Sequence, residues 1–119
     1  KALFFEDFEI AEKILITSVP YAAKVLGRQV KGYNDDEWSK VRYDIMFRVN
    51  FCKYTQNEDL KAKLLATGDK ILVEANPRDT IWGIGMDENN PDIYDENKWK
   101  GLNLLGKVLM DVREKIREN

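Results

Sequence analysis

Asn34-Asp35-Asp36-Glu37-Trp38-Ser39-Lys40-Val41-Arg42-Tyr43-Asp44-Ile45-Met46-Phe47-Arg48-Val49-Asn50-Phe51-Cys52 is the stretch on which the fold depends. It opens with three residues whose short polar side chains accept hydrogen bonds from the free N–H groups of a first helical turn. The negative charge of Asp35 and Asp36 also suits the positive end of the helix dipole. Behind them Trp38, Val41, Ile45, Val49 and Cys52 recur at steps of three and four, the period that aligns one face of an α-helix. Met46, Phe47 and Phe51 widen that face. The spacing predicts a long amphipathic helix at the centre of a helical domain.

Working outward, Phe5, Phe8, Ile10, Ile14 and Leu15 predict a helix over residues 6–17, with Asp7 and Glu9 at its start. Pro20 fits the first turn of a short helix over 21–26, with Gly27 as its C-terminal cap. Asn57 is read as the cap of a helix over 58–66, closed by Thr67-Gly68. Lys70-Ile71-Leu72-Val73-Glu74-Ala75 is short, apolar and bounded by turn residues, which predicts a strand. Residues 76–100, with Pro77, Gly83, Gly85 and Pro91, read as an irregular segment able to carry a site. Leu105, Val108, Leu109, Val112 and Ile116 share one face of a last helix from about Leu104. One strand needs backbone partners. Ile81 to Ile84 is one source for them, and strands preceding Lys1 are another.

The chain has 119 residues, enough for one domain, and 19 basic against 21 acidic residues. Its net charge of -2 gives no overall bias toward nucleic acid. There is no histidine, so a histidine base, a catalytic triad and a histidine-bearing zinc site are excluded within these residues. Cys52 is the single cysteine, which excludes an internal disulfide. No apolar run is long enough to span a membrane, and a cytoplasmic location is the default expectation.

Asp79-Thr80-Ile81-Trp82-Gly83-Ile84-Gly85 is the most informative short motif. It sets a carboxylate beside an indole and two glycines in a loop. Such a carboxylate can stabilise a developing cation or act as a base. The same residues also suit a tight turn capped by Asp79 with Trp82 in the core. Arg28 can grip a phosphate through its planar fork, or interact with the end of its helix. Trp38 is either a core anchor or a stacking platform. Asn103 can cap the last helix or donate to a ligand near its positive end.

Taken in order, the blocks are Ala23-Lys24-x-Leu26-Gly27-Arg28, Trp38, Arg42 and Met46, and Lys53-x-x-Gln56-Asn57-x-x-Leu60. There follow Leu64-Leu65-x-Thr67-Gly68, Leu72-Val73-Glu74-Ala75, Asp79-x-x-Trp82-Gly83-Ile84-Gly85 and Gly101-x-Asn103-x-Leu105-Gly106-x-x-Leu109-Met110-x-x-Arg113. This set resembles the NADAR, or YbiA-like, family over almost the whole chain.

The resemblance implies an α+β fold, predominantly α, multihelical with a small β element, as a single domain over residues 1–119. It implies an N-glycosidase that hydrolyses the ribosyl C1–N bond of a phosphorylated ribose or ADP-ribose conjugate, needing neither metal nor cofactor. The substrate would be a riboflavin-pathway intermediate or ADP-ribosylated guanine, with ADP-ribosylated nucleic acid as a further partner. By the same resemblance Asp79 is the catalytic carboxylate and Trp38 is a catalytic-site tryptophan. Lys1 matches a lysine able to form an adduct with the opened ribose. Arg28, Trp82, Gly83 and Asn103 match substrate-binding positions. The family's upstream Ser-Asn-Phe block and Glu-His pair are not in this sequence. The chain starts at Lys1 rather than Met, and the expectation is that they precede it in a longer protein. A non-catalytic ADP-ribose or nucleotide-binding module, and a structural partner-binding domain, are the competing readings.

Overall fold

The computed structural model describes residues 1–119. Five α-helices carry the chain: α1 (Phe8–Ile16), α2 (Pro20–Gly27), α3 (Asp35–Gln56), α4 (Glu58–Ala66) and α5 (Leu104–Glu118). Short 3-10 turns at Pro91–Tyr94 and Glu96–Lys98 interrupt the segment before α5. The chain groups into two compact units, Lys1–Val41 and Arg42–Asn119, divided within α3. No helix is long and apolar enough to cross a membrane.

In the first unit, the Asp7 carboxylate starts α1 by accepting from the Ile10 N–H at 3.1 Å. Its other oxygen accepts from the Lys31 N–H at 2.8 Å. These two bonds, that from Lys31 first, hold the carboxyl below the usual aspartate range. Ala2, Ile10, Ala11 and Val30 form the buried cluster, with Phe5, Ile14 and Leu26 packed against it. Pro20 occupies the first turn of α2, and Gly27 is its last residue rather than the residue beyond it.

In the second unit Leu64, Val108, Val112 and Ile116 are buried, and Tyr43, Met46, Phe47, Phe51 and Tyr54 of α3 pack on them. The spacing of these α3 residues is also helical, so α3 is apolar on more than one side. Val49 is 57% exposed and Cys52 is exposed. The expected stripe through Val49 and Cys52 is therefore not the packed one in this unit. Packing with α5 selects the broader aromatic face, where more area leaves water. Asn57 stands at the start of α4, yet its amide donates back to the Lys53 carbonyl at 2.7 Å and closes α3.

The expected small β element is absent: residues 70–75 pair with no strand, so the fold is mainly α and not α+β. A ladder needs a second backbone, and side chains take its place here. The Asn103 amide accepts from the Glu74 N–H at 3.0 Å and donates to the Leu72 carbonyl at 3.0 Å. Arg113 Nη1 donates to the Lys70 carbonyl at 2.9 Å and to Thr67 Oγ1 at 2.8 Å. Residues 81–84 do not form the second strand either; they contribute one bond, from the Ile84 N–H to the Glu74 carbonyl at 3.0 Å.

Arg113 is 6% exposed, and its hydrogen bonds go to these neutral oxygens. Arg113→Met keeps much of the apolar stem but removes the buried donor that bonds the Thr67 hydroxyl and the Lys70 carbonyl. A stability loss of about 2–4 kcal/mol is expected. Urea unfolding with an unchanged m-value would measure it, and a loss below 1 kcal/mol (about one hydrogen bond's net worth) would refute the clamp.

Candidate functional site

The loop after residue 75 is built around Asp79. Its Oδ1 accepts from the Ile81 N–H at 3.0 Å and from the Trp82 N–H at 2.8 Å. Its backbone carbonyl accepts from the Gly85 N–H at 3.1 Å. Gly85 has φ +70°, a left-handed conformation that glycine adopts without strain. A Cβ on Gly83 would lie 2.9 Å from the carbonyls of both Asp79 and Glu74. The motif thus holds a half-buried carboxylate on a tightly folded loop, with Oδ1 engaged and Oδ2 outside these bonds.

This loop is joined to the start of α5 through its backbone. The carbonyls of Thr80, Ile81, Trp82, Gly83 and Ile84 accept from the N–H groups of Leu102, Leu104, Leu105, Asn103 and Lys100 at 2.9–3.1 Å. N–H groups that an anion would need at the start of α5 are therefore already taken at residues 103–105. Asn103 itself is 1% exposed and sits at φ +53°, with its side-chain amide bonded to residues 72 and 74. Trp82 is half-buried and packs against the core of the second unit. Asp79, Trp82, Gly83 and Asn103 are thus brought together in the second unit, with Asn103 acting on backbone.

Lys1, Arg28 and Trp38 belong to the first unit. The Lys1 amine lies 5.1 Å from the centroid of the Tyr33 ring. Partial burial, and then the like charge of Arg28, pull its pKa below the ordinary lysine value. Trp38 is half-buried, with its ring 5.9 Å from that of Phe4 and 6.2 Å from that of Phe5. Phe5 also meets Tyr33 edge-on at 5.4 Å, and the Tyr33 hydroxyl donates to Asp35 at 2.7 Å. Two cations and an aromatic group of Phe4, Phe5, Tyr33 and Trp38 therefore occupy this unit. Sequence reading singled out Trp38 but not Tyr33 or Phe4. The signal available was a pair of phenylalanines close behind Lys1.

Of the candidate residues, only Lys1 lines either of two clefts inside the units. One of about 310 Å³ in the second unit is walled by Tyr54, Leu60, Leu64, Leu72, Leu105 and Leu109, among others. One of about 200 Å³ in the first unit has Lys1 at its edge and Ala2, Leu3, Ala11, Ile14 and Leu15 as its walls. No group of three or more Cys, Asp or Glu is gathered to hold a metal ion.

The family model described as the NADAR domain matches residues 1–117. An N-glycosidase of Acanthamoeba polyphaga mimivirus is 47% identical over 99% of this chain and 69% of its own length. Protein irg-1 of Caenorhabditis elegans is 42% identical over 98% of this chain and 56% of its own. A riboflavin biosynthesis protein of Vibrio vulnificus is 33% identical over 97% of this chain and 28% of its own. The chain therefore spans about two thirds or less of these curated relatives.

Proposed function

Because the chain belongs to the NADAR domain family, we propose that it is an N-glycosidase that hydrolyses a ribosyl C1–N bond in a phosphorylated ribose or ADP-ribose conjugate. The observation that carries this reading is the match across nearly the whole chain to an N-glycosidase at 47% identity. The riboflavin biosynthesis relative supports a ribosylated small molecule as one substrate class.

Cleaving a C1–N bond builds positive charge on C1 and the ring oxygen. The role of the Asp79 carboxylate is to stabilise that charge or to draw a proton from the attacking water, through Oδ2. Its loop holds it still, because Oδ1 is bonded to two backbone N–H groups. Arg28 holds phosphate oxygens through its guanidinium fork. Trp38 supplies an indole face for the base or the sugar. Lys1 has a larger neutral fraction than an ordinary lysine, since its pKa is lowered. A neutral amine can add to the aldehyde of the opened ribose, releasing water and forming a Schiff base that water later cleaves. Trp82, Gly83 and Asn103 support the reading by shaping the Asp79 loop.

The test pairs calorimetry with turnover. ADP-ribose and ribosylated conjugates are titrated, and release of the free base or amine is followed. Turnover is expected. Binding without turnover would replace the proposal with a nucleotide-binding module, and absence of both binding and turnover would overturn it in favour of a structural domain. Arg28→Ala should raise KM about tenfold with kcat little changed, as loss of a charge-assisted phosphate contact does.

A further inference from the structure

Lys1 and Tyr33 are both held by Phe5. The Phe5 N–H donates to the Lys1 carbonyl at 3.2 Å and closes a turn. The Phe5 ring meets the Tyr33 ring edge-on at 5.4 Å. Tyr33 is fixed at its other end as well, where its hydroxyl donates to Asp35 Oδ1 at 2.7 Å. Asp35 is the first residue of α3, and Asn34 before it accepts from the Glu37 N–H at 3.0 Å. The ring is therefore tied to a helix start that is itself capped. Gly32, just ahead of it, takes φ +77°, a conformation in which glycine turns the chain between α2 and α3 without strain.

The Lys1 amine lies 5.1 Å from the centroid of this ring, inside the reach of about 6 Å over which an aromatic face attracts a cation. No carboxylate pairs with it. The charge that acts on it is that of Arg28, which repels it. The ring face opposes that repulsion. A phenol that donates to a carboxylate also has an electron-rich ring, which strengthens the attraction.

We propose that Tyr33 is the positioning residue of the Lys1 amine, its ring face seating the nitrogen as ammonium at rest and as iminium in the adduct with the opened ribose. This rests on Lys1 being the amine that forms that adduct. In the step, nitrogen forms a double bond to C1 of the aldehyde, and the aldehyde oxygen leaves as water with two protons from the ammonium. Water returning to C1 reverses the change and frees the amine. The nitrogen is positive before and after, so the same ring face favours one location for it throughout. An aliphatic side chain at position 33 offers no such face, and the flexible four-carbon stem of Lys1 is then free to swing away.

The probe is ADP-ribose with cyanoborohydride, added to the full-length protein. Hydride adds to C1 of the iminium and fixes a secondary amine, which mass spectrometry reads on the peptide that contains Lys1. Tyr33→Leu should lower the limiting trapping rate about tenfold, as misplacement of a reacting group does, with half-saturating ADP-ribose changed less than about twofold. Tyr33→Phe keeps the face and should stay within about threefold of the parent. Proton NMR supplies a reading that needs no chemistry. The Lys1 ε-methylene protons should resonate upfield in the parent and in Tyr33→Phe, because they lie over a ring face. Absence of that upfield shift in the parent overturns the proposal, whether or not Tyr33→Leu folds. Equal trapping by Tyr33→Leu and the parent overturns it while leaving the role of Lys1 standing. A Phe variant as slow as Leu overturns it in favour of the hydroxyl. No adduct on Lys1 in the parent removes the role of Lys1 and this proposal with it.

Discussion

Asp79→Asn is expected to cost about 10²–10⁴-fold in kcat, the range for loss of a positioned catalytic carboxylate, while leaving the fold intact. The geometry makes this substitution a clean one. Asn keeps an Oδ1 that can accept from the Ile81 and Trp82 N–H groups, so the turn persists. What it removes is the negative charge and the basic oxygen at Oδ2. Asp79→Ala removes the turn bonds as well and should cost about 1–2 kcal/mol of stability, as loss of a capping side chain does. Initial rates on a ribosyl conjugate, with unfolding curves for both variants, separate the two contributions. If Asn turns over like the parent while Ala is only less stable, Asp79 is a turn residue and the glycosidase chemistry lies elsewhere.

Gly106→Ala should be the most damaging conservative change in the second unit, at about 3 kcal/mol or more for an overpacked backbone contact. Taken alone, alanine favours a helix over glycine by about 1 kcal/mol. At Gly106, however, a Cβ would overlap the Leu72 carbonyl and the Asn103 amide, with Oδ1 at 2.6 Å. Neither neighbour is a free side-chain end: the Leu72 carbonyl and the Asn103 amide are bonded to each other. Relief would require α5 to move off residues 72–74 and break both Asn103 bonds. Gly27→Ala in α2 is the control, since nothing lies within 4 Å of its Cβ. It should be neutral or stabilising by up to about 1 kcal/mol. Thermal unfolding of the two variants beside the parent checks the contrast. A Gly106→Ala protein as stable as the parent would mean that α5 is not seated as closely as the structure has it.

Much of the candidate site was legible because it is local. The Asp79-x-x-Trp82-Gly83 spacing is what lets one carboxylate oxygen reach the N–H groups two and three residues on. Asn103 was legible as a marked residue but not in its role. Its positive φ and its 1% exposure arise from contacts 29 and 31 residues away, which no local pattern encodes. Tyr33 beside Lys1 was missed for the same reason: the pair is separated by the whole of α1 and α2.

What the sequence alone determined is what depends on near neighbours. Five helices stand close to where capping residues and periodicity put them, and the lack of histidine leaves these residues carboxylates, amines, hydroxyls, guanidinium groups and the one thiol of Cys52 for chemistry. What only tertiary structure decided is what needs a partner from elsewhere in the chain. Lys70–Ala75 has the composition of a strand, but a strand's hydrogen bonds lie outside itself. Within these residues the partners were the Asn103 amide and the Arg113 guanidinium rather than a second backbone. A helix closes its hydrogen bonds within a few residues and can be read from them; a strand is completed only by whatever the fold sets beside it.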